Sequence, residues 1–144
     1  MIRNVLAVAV LALGATALVA QTDPIAARKA LMKANGEQAK IAVDMLESKA
    51  PFNLEAAKKV FATFHEAGEK APPLFPDTSK TGGDTAALPA IWENKADFEA
   101  KLAKLAAESK KAGEATKDFD SFKAQMAEVR KNCGGCHQNY RKKT

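Results

Sequence analysis

The stretch FDSFKAQMAEVRKNCGGCHQNY, residues 119–140, decides the fold. Within it Phe119, Phe122, Met126, Val129, Cys133, Cys136 and Tyr140 recur at alternating steps of three and four, the spacing of one face of an α-helix. The stripe runs unbroken from the phenylalanines into the two cysteines. One helix therefore carries both thiols, and both turn toward the core that the phenylalanines fill.

The end of that stripe also carries chemistry. Cys133-Gly134-Gly135-Cys136-His137 is a C-x-x-C-H string, the attachment signature of c-type haem. Two thiols on one helical turn can each add across a vinyl group on one edge of the porphyrin, and the next residue can then present an imidazole to the iron as proximal ligand. Gly134 and Gly135 have no side chains to hold the backbone away from the ring. A thioredoxin-like C-x-x-C needs a preceding strand in a βαβ setting, which is missing here. A structural zinc site needs four ligands, and His65 is the sole further histidine or cysteine. The expected cofactor is thus covalent haem c, one per chain, attached through Cys133 and Cys136 with His137 on the metal.

Reading outward toward the N-terminus, the chain is rich in Ala, Lys, Glu and Leu and shows no strand-like alternation, which predicts an all-helical domain. A first helix starts at Asp23 as N-cap with Pro24 in the first position and runs to about Lys49, before Pro51. A second starts near Asn53 and ends around Lys70, because Pro72 and Pro73 forbid continuation; its stripe is Ala57, Val60, Phe61, Phe64 and Gly68. A long connection follows from Ala71 to about Leu88. The third helix opens at Pro89, carries Ile91, Trp92, Phe98, Leu102 and Leu105, and is expected to end near Gly113 as a glycine cap. Four helices with two short links and one long loop predict an antiparallel four-helix bundle whose C-terminal helix binds the haem.

The first residues read differently. Met1-Ile2-Arg3-Asn4 is a short positive region and Val5 to Leu13 an apolar one, with small residues before a cleavage point after Ala20 or Ala17. Residues 1–20 are expected to be a secretory signal peptide, and 21–144 the bundle domain. The apolar run is shorter than the roughly 20 residues that span a bilayer, so no stable membrane insertion is expected after cleavage. Export agrees with thioether haem, which is attached outside the bacterial inner membrane, and points to the periplasm. The formal charge is +5, and losing Arg3 leaves a surplus of four. Its lysines are interleaved with acids, so most form a solvated face. No cluster of basic and aromatic residues suggests nucleic acid.

Taken together the pattern resembles the cytochrome c′ family, the class II c-type cytochromes, over essentially the whole chain after the signal. Cys133-Gly134-Gly135-Cys136-His137-Gln138-Asn139-Tyr140-Arg141 is similar to the family's C-x-x-C-H-x-x-[FY]-R run on its last helix. Ala50-Pro51-Phe52-Asn53 resembles its turn between helices one and two, Leu74-Phe75-Pro76 its crossover loop, and Pro89-Ala90-Ile91-Trp92 the start of its third helix. The resemblance implies that Arg28 lies near the haem propionates, where a guanidinium suits a carboxylate, and that Arg141, one turn after His137, shields the proximal ligand and influences its electrostatics.

It also places Met32 at the family's distal position, within Lys29-Ala30-Leu31-Met32-Lys33-Ala34-Asn35-Gly36. A methionine there resembles the low-spin branch, in which a thioether from helix one binds the iron. Met126 lies eleven residues before His137 on the same helix, roughly 16 Å away, and Met45 lies about 20 Å along helix one from Met32 and about 140° out of phase. His65 sits beside the stripe of helix two and reads as a rim residue. The expected function is therefore an electron carrier with a His/Met-ligated low-spin haem and redox proteins as partners. The alternative is a high-spin, five-coordinate cytochrome c′ that binds nitric oxide or carbon monoxide. Neither is an enzyme: peroxidase-like chemistry needs a distal acid–base pair, and Lys29 and Lys33 are poor candidates. A homodimer through the first two helices, using Ile41 or Met45, is a further expectation, although a second core face explains those residues equally well.

Overall fold

The computed structural model describes residues 23–143. The signal segment expected at residues 1–20 lies outside them. Five helices follow in order: α1 (Pro24–Leu46), α2 (Leu54–Lys70), a one-turn α3 (Ala90–Glu93), α4 (Lys95–Ala115) and α5 (Phe119–Tyr140). Two single 3-10 turns, Pro72–Leu74 and Asp77–Ser79, shape the connection between α2 and α3. Helices α1, α2, α4 and α5 form an antiparallel four-helix bundle. Among the described residues there is no strand, only an isolated bridge between Ala87 and Arg141.

Two helix starts follow the sequence reading, at Asp23 and Asn53, and the structure adds a third cap at Asp118. Asp23 accepts from Ile25 N at 2.9 Å, Asn53 from Ala56 N at 2.8 Å, and Asp118 from Ser121 N at 2.8 Å, with the Ser121 hydroxyl closing a reciprocal capping box. The helix ends depart from expectation in three places. Helix α1 stops at Leu46 because Ser48 turns to a φ of 58° and Lys49 N and Ala50 N fold back onto Asp44 O. The expected third helix is broken at Asn94, whose side chain donates to Ala90 O and so competes with the backbone ladder. Gly113 is no cap, since α4 continues to Ala115 and Thr116 follows as its C-cap. A Cβ built on Gly113 would lie 3.4 Å from Phe61 Cβ, so the residue sits within α4 where it packs against α2.

The core has two parts. One end of the bundle is filled by Ala42, Met45, Ala57, Val60, Phe61, Phe64, Phe122, Met126 and Val129, with Phe122 packed against Phe52 and Phe61 at ring separations of 5.8 and 5.7 Å. Met45, considered above as a dimer contact, is 3% exposed and belongs to this core. Ile41 is exposed. At the other end Ala71, Ile91, Phe98, Leu102 and Tyr140 form a smaller cluster. Helices α2 and α4 come close at Gly68, where a Cβ would stand 2.7 Å from Leu102 O and 2.8 Å from Ala106 N. No described helix is long and apolar enough to cross a membrane.

Candidate haem site

The second, smaller cluster floors a cavity of about 400 Å³ between α1, α4, α5 and the connection before α3, a size within the range of roughly 300–1,000 Å³ typical of cofactor sites. The motif opens into it. Cys133, Cys136 and His137 line it from α5, Met32 and Asn35 from α1, Leu102 and Leu105 from α4. Both cysteines are half-buried and unbridged, and burial pushes both thiols above their ordinary pKa. That is the opposite of the depressed thiol a redox C-x-x-C uses. No group of three potential metal-binding side chains occurs among the described residues, which leaves a zinc reading without support.

His137 is exposed on one side. The desolvation it does meet lowers its pKa, and the neighbouring Arg141 guanidinium lowers it further, so the ring is held in the neutral form a metal ligand requires. Arg141 caps α5, its N–H donating to His137 O at 3.2 Å, and lines the same cavity. The methionines separate cleanly. Met126 is 1% exposed in the filled core, as Met45 is, and among the described methionines only Met32 lines the cavity. His65 lies elsewhere, its Nδ1 3.0 Å from Ala106 O and its Nε2 near Glu69.

Arg28 is placed at the cavity as expected, yet its bonds run to protein. Nη1 donates to Leu74 O at 3.2 Å and Ser79 Oγ at 2.8 Å, and Nη2 to Ser79 O at 3.0 Å and Thr85 Oγ1 at 2.7 Å. The guanidinium also lies 4.8 Å from the Phe75 ring centroid and 5.7 Å from that of Trp92. Burial lowers its pKa. Ser79 and Thr85 are partners invisible to sequence reasoning, since Ser and Thr in a long loop carry no signal of their own. Asn35 was likewise unmarked: its Oδ1 is buried without a partner.

These features fit haem. Two thiols, a neutral imidazole and apolar walls surround a space of cofactor size. Arg28, Lys29, Lys101 and Arg141 line it, and among the described residues no carboxylate does, which suits a ring bearing two anionic side chains. The bundle and this site together define the class, a c-type haem protein whose cofactor is carried by its last helix. A sequence profile described as "Cytochrome C′" matches residues 23–141, and the chain belongs to that family. It is 47% identical over 131 residues to a cytochrome c′ of Rhodopseudomonas palustris, covering 91% of this chain and 90% of the relative. It is 32% identical over 147 residues to a cytochrome c-556 of the same organism, covering 99% of each. The solved structure of cytochrome c′ from Rhodopseudomonas palustris superimposes with a TM-score of 0.83 at 47% identity, covering 86% of this chain and 99% of that one. The cofactor is covalently attached haem c, and proteins of this family are electron carriers or gas binders.

Proposed function

We propose that this chain is a periplasmic electron carrier in which Cys133 and Cys136 attach haem c, His137 is the proximal ligand and Met32 the distal one. Bound haem c supplies reversible one-electron iron chemistry. The observation that carries the reading is the position of Met32, the described methionine that faces the cavity containing Cys133, Cys136 and His137. Its side chain is 37% exposed at the cavity wall, an apolar group that gains burial when its sulfur engages the metal. A soft thioether opposite imidazole favours the reduced state, which suits a carrier. Burial and, second to it, the Arg141 guanidinium favour neutral His137, and both Arg28 and Arg141 line the cavity, which supports the roles assigned to them here.

Gly134, Gly135, His137 and Gln138 are exposed, so α5 leaves one edge of the site at the surface for a redox partner protein. The first two helices carry exposed Ile41 and Leu54 and an open apolar groove lined by Ala27, Ala30, Leu31 and Ala34, a face on which a second copy can pack. Signal cleavage after Ala20 places the mature chain in the periplasm.

The absorption spectrum of the oxidised protein tests the ligation. A low-spin spectrum is expected, converted to high-spin in Met32→Ala, with fast carbon monoxide binding to the ferrous variant and slow binding to the unmutated protein. A five-coordinate high-spin spectrum in the unmutated protein at neutral pH would defeat Met32 ligation and establish the gas-binding reading.

A further inference from the structure

Helix α1 is held to the bundle unevenly. Its C-terminal half contributes Ala42 and Met45 to the filled core, with Ala39 and Leu46 packed beside them. Its N-terminal half, which bears Met32, faces the cavity instead. There the buried residues are Ile25 and Arg28 alone. Ile25 rests on the glycine turn at Gly83, where a Cβ would come within 3.1 Å of it and φ is +54°. Arg28 is tied by all four bonds described above to three points of the crossover segment, Leu74, Ser79 and Thr85. That segment is itself anchored: Trp92 Nε1 donates to Phe75 O and Pro76 O, Lys142 Nζ to Thr85 O, and Lys142 N to Ala86 O.

We propose that Arg28 is a positioning residue for Met32, a latch that fixes the free half of α1 against the crossover segment and so sets how readily the Met32 sulfur leaves its place. Arg28 and Met32 are one helical turn apart, so a displacement at one is carried to the other through continuous helix. Only a planar fork serves four acceptors spread over three residues; a lysine ammonium has three donors on a flexible stem. The proposal rests on Met32 being the distal ligand.

The test removes the latch from either side, and both routes keep a positive charge at position 28. In the holoprotein Ser79→Ala combined with Thr85→Val deletes two of the four acceptors, and Arg28→Lys deletes the fork. Carbon monoxide is the probe, its binding to the ferrous protein being limited by departure of Met32. Both variants are expected to bind it about tenfold faster, equivalent to roughly 1.4 kcal/mol. Amide hydrogen exchange is expected to quicken over residues 25–36 and not over 119–132. Adding Ser79→Ala and Thr85→Val to Met32→Ala should leave the already fast rate unchanged. Thr85→Val alone repeats the measurement if the double variant holds too little haem. Unchanged rates in a protein whose spectrum is low-spin would overturn the latch by itself, and so would an equal acceleration in the Met32→Ala background. A high-spin spectrum in the unmutated protein would instead remove the ligation reading and the latch with it.

Discussion

The two ends of the bundle are built from the same helices and put to opposite uses. Helix α5 gives Phe122, Met126 and Val129 to the filled end and Cys133, Cys136 and Tyr140 to the cavity end. Helix α1 does the same in reverse chain order, with Ala42 and Met45 in the core and Arg28, Met32 and Asn35 around the cavity. At the filled end side chains complete one another. At the cavity end they surround a space, and the polar groups among them find partners in loops or find none, as with Asn35 Oδ1. Stability is therefore concentrated where the phenylalanines meet, which leaves the other end free to hold a group the polypeptide does not supply.

The sharpest way to break that contrast is Phe122→Ala. Phe122 is fully buried between Phe52 and Phe61, and its truncation should cost about 3–5 kcal/mol through lost transfer energy and a cavity that cannot collapse. Urea unfolding followed by circular dichroism reads this directly. A loss below about 1 kcal/mol would mean that the filled end is not where the fold is secured.

A smaller effect is expected where the two ends meet. The α2–α4 crossing at Gly68 brings backbone to backbone, and a single methyl there would press on Leu102 O and Ala106 N. Backbone cannot rotate away as a side chain can, so Gly68→Ala should cost about 1–3 kcal/mol and lower the melting temperature. Because Leu102 lines the cavity, the same variant should perturb the haem absorption bands. A stabilised protein with unaltered bands would show that the crossing has slack.

Most of this contrast could be read from the sequence, and the exceptions have physical causes. The stripe of α5 gave the helix and the motif together, because periodicity and attachment chemistry coincide in seven residues. Prolines at 24, 51, 72 and 73 marked boundaries reliably, since a missing N–H admits few alternatives. The glycine at 113 misled: glycine can end a helix in a left-handed cap, but here α4 runs on through it to Ala115 and closes at Thr116. Met45 was ambiguous, as a helix of 23 residues can present one face to a core and another to solvent. Arg28 was found through the family pattern, but its partners Ser79 and Thr85 lie 51 and 57 residues away, and no local rule connects them.

The least expected effect belongs to Tyr140, and it separates the ends by pH. The Tyr140 hydroxyl donates to Asp97 Oδ2, and that bond, reinforced by burial, pushes its pKa up to about 12 from 10.0. A group whose folded pKa is raised contributes stability that is fully present below its unfolded value and lost as pH rises through the folded one. The loss should therefore fall between pH 10 and about 12. The filled cluster holds only Ala, Met, Val, Phe and Leu and has no group to titrate there. Lys101 also contacts Asp97, at 3.6 Å, and is present in both proteins, which makes the comparison with Tyr140→Phe the informative one. The stability difference between the two proteins should stay level up to pH 10 and narrow above it, with ultraviolet absorption showing phenolate formation near pH 12 in the unmutated chain. A difference that remains constant to pH 12 would show that the Tyr140–Asp97 bond contributes nothing to holding the cavity end together.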